Sequence, residues 1–230
     1  MPPEVSIAAW NEVQARIWRC ELCRRLDRVA CDIRQRTEGP AQPVKLMLVG
    51  VAPPHVSGVT TQAVANSATN DLNDNLRLFV EDALGVSWSD LLERGLFLIH
   101  GVKCAIVPER GHQNPPNGVV DTCASRHFAD EIRLTRPSGV VVFGKAPYRA
   151  LLTVPGVGPS MPRRLGTSSS VATLVERTGD GVEVDAGQWS FRLYVSPFPL
   201  RARRDKQSSF LKTSPGRFPP STGTTGPVLS

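Results

Sequence analysis

The chain has 230 residues, is 40% hydrophobic and 21% charged, and carries a formal net charge of +6. That balance suits one sizeable soluble domain, or one domain plus appendages. Five cysteines, an odd number in a chain of this length, argue against a secreted disulfide framework and leave metal ligation or buried free thiols.

Residues 6 to 36 are expected to be helical, because Ile7, Trp10, Val13, Ile17 and Trp18 fall near helical spacing and arginines cover much of the remainder. Gly39-Pro40 to Pro43 breaks the chain. Val44 to Val51 is then a continuous apolar run, the pattern of a strand buried on both faces. A loop follows from Ala52 to Gly58, and the small polar residues 59 to 69 extend it. Asn70 or Asp71 is placed to cap a helix running to Leu84, with Asp74 in its first turn, and a short helix is expected over Ser89 to Arg94.

Leu96 to Ile99 is predicted as a second buried strand, leading into His100-Gly-Val-Lys-Cys104. Residues 108 to 118 are rich in Pro, Gly and Asn and are read as a loop, and Val119 to Thr135 as a helix. Gly139 to Phe143 is a third buried strand, followed by Gly144-Lys145 and a helix from Ala146 to Leu152. Residues 154 to 170 are loop by composition. Val171 to Val175 and Trp189 to Val195 are expected as late strands, and Ser196 to Leu200 as a further loop at a strand end.

Strands alternating with helices predict a three-layer α/β/α domain around a mainly parallel sheet. Ligands of such sheets bind at the carboxyl ends of the strands. Here these ends are segments 51 to 58, 99 to 104, 144 to 147 and 195 to 201. The folded domain is expected over residues 1 to 204. Residues 205 to 230, rich in Ser, Thr, Pro and Gly, are expected to be a basic disordered tail. From Arg201 onward six basic residues stand against Asp205, so most of the net charge sits at this end, a distribution consistent with polyanion binding and equally with a solvated tail that keeps the protein soluble. The longest apolar runs are too short to span a bilayer, and the first residues lack a basic-then-apolar leader pattern, so a cytoplasmic protein is expected.

The cysteines carry the sharpest chemistry. Cys20 and Cys23 form a Cys-x2-Cys pair, and after a gap of 80 residues Cys104 and Cys123 form Cys-x18-Cys. Four thiolates suit tetrahedral zinc or an iron–sulfur cluster. Cys31 fits best as a core cysteine.

At this point the chain resembles the uracil-DNA glycosylase superfamily, in its iron–sulfur branches (families 4 and 5). The residues that carry the resemblance are Cys20-x2-Cys23, LMLVGVAPP (46 to 54), VKC (102 to 104), the loop ending in Cys123, ADEIRLTRPSGVVVFGKAPYRALL (129 to 152) and YVSPFPLRAR (194 to 203). The resemblance implies that Cys20, Cys23, Cys104 and Cys123 hold a structural [4Fe–4S] cluster, with zinc as the alternative. It implies a monomeric DNA-acting enzyme of base excision repair, a hydrolase that cleaves the N-glycosidic bond of uracil or another deaminated base flipped into a pocket at the strand ends. The alternative is a catalytically reduced relative that binds damaged or single-stranded DNA.

The site residues depart from the family pattern. Gly50, Val51, Ala52 and Pro53 occupy the first motif, with Val51 where family 4 carries an acid. Residues 55 to 69 contain no aromatic to stack on uracil. His100 replaces an asparagine that reads the base. The third motif places Val195, or Ser196 in a shifted register, where a histidine would stabilise the leaving anion. His100 and His55 are therefore the candidates for hydrogen bonding to the base. His112 is a weaker one, at a position that one branch uses to capture the sugar. Arg201, Arg203, Arg204 and Lys145 are the candidate phosphate contacts, and Phe198 or Leu200 the candidate wedge into the base stack.

Overall fold

Three five-residue runs, Leu46–Gly50, Leu96–His100 and Gly139–Phe143, are almost wholly apolar and must be covered on both faces. The computed structural model, which describes residues 4–26, 28–34, 37–53, 55, 74–109, 114–166 and 169–197, provides that cover. In chain order the elements are α1 (Ile7–Trp18), β1 (Val29–Arg34), β2 (Leu46–Gly50), α2 (Asp74–Leu84), α3 (Trp88–Glu93), β3 (Leu96–His100) and β4 (Cys104–Ile106). Then come α4 (Asn117–Cys123), a π-helical turn (Ala124–Phe128), α5 (Ala129–Thr135), β5 (Gly139–Phe143), α6 (Lys145–Leu152), α7 (Val157–Ser160), a 3-10 turn (Arg163–Leu165), α8 (Val171–Arg177), β6 (Val182–Asp185) and β7 (Ser190–Ser196).

The main sheet has the order β3-β2-β5-β7-β6. Its first four strands are parallel, and β6 pairs antiparallel with β7 at one edge. Side chains alternate between two cores. Met47, Val49, Phe97, Ile99, Val140 and Val142 face the larger one, with Trp10 of α1, Phe128 and Ile132. Leu48, Leu96, Leu98, Val141 and Phe143 face the smaller one, under Leu76 and Val80 of α2 and Trp88 and Leu91 of α3. The result is the expected three-layer α/β/α domain with a mainly parallel sheet. No helix among the described residues is long and apolar enough to cross a membrane.

The structure corrects two expected elements. The N-terminal helix stops at Trp18 instead of reaching residue 36. The Cys20–Cys23 segment turns tightly, with the Arg24 amide donating to the Glu21 carbonyl at 3.1 Å and that of Leu26 to the Cys23 carbonyl at 3.0 Å. Past the turn, Cys31 and Ile33 are buried while Asp32 is exposed, a strand's alternation, and β1 pairs antiparallel with β4 in a small second sheet. Residues 171 to 175 are helical rather than extended, because Ser170 caps α8 by accepting the Thr173 amide at 3.1 Å. The strand expected near this place is β6, where Val182 and Val184 are buried and Glu183 and Asp185 exposed.

Candidate active site and cysteine pocket

The chain runs from β2 out to β3 and then crosses back over β2 to β5, so the winding reverses between β2 and β5. The crevice outside the carboxyl ends at that reversal is where sheets of this kind bind ligands. Gly50 and His100 face each other there in the parallel register of β2 and β3. The imidazole of His100 lies directly against Gly50: a Cβ at position 50 would stand 2.7 Å from His100 Cδ2 and 3.0 Å from Nε2. Glycine is thus required by contact with the ring, whatever its backbone freedom. The carbonyls of Gly50 and Val51 accept the amides of Gly101 and Val102 at 2.9 and 3.0 Å, so they hold the next loop. Val51 and Ala52 are half-buried, Pro53 is buried and His55 is half-buried.

His100 is only 4% exposed. Burial, with the nearby positive charge of Lys103, lowers its pKa to about 3. The ring is therefore neutral near pH 7. In that state it can donate a hydrogen bond through its ring N–H.

Gly144, at the end of β5, takes φ 93° and donates its amide to the Ser196 carbonyl at 2.8 Å. That positive φ suits glycine and turns the chain into α6, whose first residue, Lys145, is exposed. On β7 Val195 is fully buried in the larger core, and its amide donates to Thr178 Oγ1 at 2.9 Å. Ser196 is buried at the strand's last position, its hydroxyl donating to the Pro197 carbonyl at 3.1 Å. The four strand ends thus bring together Gly50, His100, Lys145 and Ser196, while Val195 is a core residue. Arg201, Arg203, Arg204, His112, Phe198, Leu200, Asp71 and the side chain of Asp74 lie outside the described residues.

Behind this edge runs a buried polar chain that the sequence did not disclose. Lys103 is 1% exposed; its ammonium contacts the His100 carbonyl and pairs with Glu131, which is fully buried on α5. Gln14 of α1 donates to Glu131 Oε1 at 2.9 Å and accepts the Thr37 amide at 3.2 Å. Burial raises the Glu131 carboxyl, and Lys103 and Gln14 oppose the shift. Arg16–Asp130, at 2.7 Å, adds an exposed tie between the same two helices.

The cysteines meet on the other side of that chain. Cys20, Cys23, Cys31, Cys104, Cys123 and His127 line one pocket between α1, the β1–β4 pair and α4. The Lys103 amide donates to Cys123 Sγ at 3.2 Å. Arg34 braces the Cys-x2-Cys turn by donating to the Trp18 carbonyl and contacting Glu21. Burial pushes the Cys23 and Cys104 thiols up, and their neighbouring thiols push further. Burial pushes Cys123 up to about 12 against the pull of Lys103. A cation entering such a pocket would reverse this preference, since a coordinated thiol is deprotonated outright. Among the described residues no three His, Cys, Asp or Glu side chains are grouped to hold a single metal ion.

The π-helical turn explains how His127 reaches the pocket. It inserts directly after Cys123 and shifts the facing of the next residues, so that Phe128 enters the core and His127 lines the pocket. The ring is buried, and its pKa is lowered to about 4, chiefly by burial. A four-residue spacing from Cys123 was the signal available in the sequence. For Cys31 it was the alternation in Val29-Ala-Cys-Asp-Ile-Arg34.

The family model described as the uracil DNA glycosylase superfamily matches residues 37–214. The chain belongs to that superfamily. The match takes in all four parallel strands of this glycosylase-like domain, including the His100 and Ser196 positions, and starts after Cys20 and Cys23. No individual curated protein matches the chain. Membership supports a DNA glycosylase-like function acting on DNA.

Proposed function

We propose that this superfamily member hydrolyses the N-glycosidic bond of uracil or another deaminated base in DNA, at the carboxyl edge of the sheet. The observation that carries the reading is the His100 imidazole set against Gly50 at the β2–β3 strand ends. Departure of a base leaves a cation-like sugar and an anionic leaving group. A neutral imidazole N–H, held by a buried strand, can donate to a carbonyl oxygen of that base as its charge grows. Because His100 stays neutral well below pH 7, it acts as a fixed donor and loses no proton in the step. Ser196, at the end of β7, and His55, five residues past the end of β2, are assigned to base contact. Lys145, exposed at the start of α6, and Arg201, Arg203 and Arg204 are assigned to phosphate contact.

The same reading gives the cysteine pocket a [4Fe–4S] cluster bound by Cys20, Cys23, Cys104 and Cys123. Zinc requires every donor about 2.3 Å from one centre. A four-iron cluster offers the thiolates separate irons and suits donors spread around a pocket. The convergence of the four thiols on one pocket supports the larger group. When bound, it would neutralise the thiolates and clamp the Cys20–Cys23 turn to β4 and α4, behind the loops that meet DNA.

One observation favours a second reading, a DNA-binding relative with reduced catalysis. Hydrocarbon stands where an acid and an anion-stabilising donor are expected: Val51 is half-buried and Val195 lies in the core. Oligonucleotides carrying uracil or hypoxanthine, incubated with the protein and treated with alkali, separate the two. Strand breaks at the modified base support excision. Binding without breaks across several damaged bases overturns it in favour of the second reading.

A further inference from the structure

His127 presents an unsolved hydrogen-bonding problem. It is 6% exposed, and neither ring nitrogen has a hydrogen-bond partner among the described residues. A buried donor left unmade costs about 1–3 kcal/mol, so a native pocket keeps one only when something else satisfies it. Of the charged groups that act on the ring, Lys103, Arg16 and Arg126 are cations and accept no hydrogen bond, Lys103 being paired with Glu131, and the one carboxylate, Asp130, is engaged by Arg16 and Arg133. The ring instead lines the pocket shared by the cysteines. Neutral thiols are weak acceptors, whereas thiolate or sulfide sulfur is anionic and accepts well.

We propose that His127 donates an imidazole N–H to an anionic sulfur of the iron–sulfur group in the cysteine pocket and thereby raises its reduction potential. This rests on the cluster reading given above. The reduced group carries one more negative charge than the oxidised group, so a hydrogen bond to its sulfur stabilises the reduced state more. Hydrogen bonds to sulfur are among the established determinants of cluster potential. His127 is in this sense a positioning and tuning residue, with no part in the bond-breaking step.

The test uses the full chain purified without oxygen, as wild type, His127→Phe and His127→Gln, with iron content, visible absorption and midpoint potential measured for each. The expected result is equal iron in all three and a more negative midpoint for His127→Phe. His127→Gln, which keeps an N–H donor, should stay nearer the wild type. Iron lost under air should leave His127→Phe several-fold faster. Equal midpoints for wild type and His127→Phe would overturn the proposal, as would a shift in His127→Gln as large as in His127→Phe. Should His127→Phe fail to fold, the glutamine variant alone decides: loss of its iron would mark His127 as a ligand and refute the donor role. Wild-type protein with zinc and no iron would instead overturn the cluster reading, and this inference with it.

Discussion

The two ends of the glycosylase-like domain differ in how densely they are furnished. The cysteine pocket has more donors than a four-ligand group needs: five thiols and a histidine line it. Among the described residues the strand-end crevice has fewer groups than base excision usually calls on, with Val51 and Val195 at expected polar positions and His100 as the one buried imidazole there. The two regions are joined by Lys103, whose amide meets Cys123 and whose ammonium meets the His100 carbonyl. Scaffold chemistry and reaction chemistry can thus vary separately in one fold, and function must be argued from the crevice rather than from the architecture.

The largest expected effect falls on the richly furnished end. Cys20→Ser should lose iron–sulfur absorption and stability together, by roughly 5 kcal/mol or more if structural metal sites are a guide. Cys31→Ser should keep both. Absorption spectra and denaturant melts check the pair, and a stable, coloured Cys20→Ser protein would erase the contrast.

The connection comes next. Glu131→Ala strands the Lys103 ammonium in the core and should cost roughly 3–5 kcal/mol in denaturant melts. The double variant Lys103→Met, Glu131→Leu should recover most of that loss, because it removes both buried charges. If the double variant is no more stable than Glu131→Ala, the pair is not what costs the energy.

Below these in size is a pH effect from the sparse end. The His100 pKa in the folded chain, about 3, is below the usual 6.5, so at acid pH the unfolded chain binds more protons. The stability of the neutral ring is intact above about pH 6.5 and is lost as pH falls toward 3, reaching roughly 2 kcal/mol at pH 5. Melts of His100→Asn over the same range should be flatter than wild type. Parallel pH profiles would show that the ring is not held in a buried, neutral state.

The smallest effect concerns DNA. Lys145→Ala should weaken binding modestly and equally across sequences, lowering the slope of log affinity against log salt by about 1. A loss confined to one base would reassign Lys145 to base reading.

Much of the fold was legible because burial on two faces leaves an unmistakable trace. The runs Leu46–Gly50, Leu96–His100 and Gly139–Phe143 have almost no polar residue, and the structure makes each of them a strand of the main sheet covered on both faces, β2 and β5 inside it and β3 at one edge. The failures came where local preference and context disagreed. Val171 to Val175 is rich in β-branched residues, yet the Ser170 cap and burial of Leu174 in the larger core hold it in a helix. The N-terminal periodicity was sound through Trp18, but the arginines beyond it gave no sign that β1 would pair with a strand some seventy residues later. Of the candidate site, the spacing and order of the chain singled out the four cysteines that line one pocket and the four strand ends. The Lys103–Glu131–Gln14 chain was not, since its members come from three distant segments and each alone resembles an ordinary surface residue.

Excision at the sparse end is tested most directly by single-turnover cleavage of a uracil- or hypoxanthine-containing oligonucleotide, comparing wild type with His100→Ala. Wild type should give alkali-sensitive strand breaks, and the variant should be slower by roughly 10²-fold, the scale on which removing one preorganised donor acts. Wild-type protein that binds the DNA and leaves every base in place would contradict excision. A variant as fast as wild type would contradict the role given to His100.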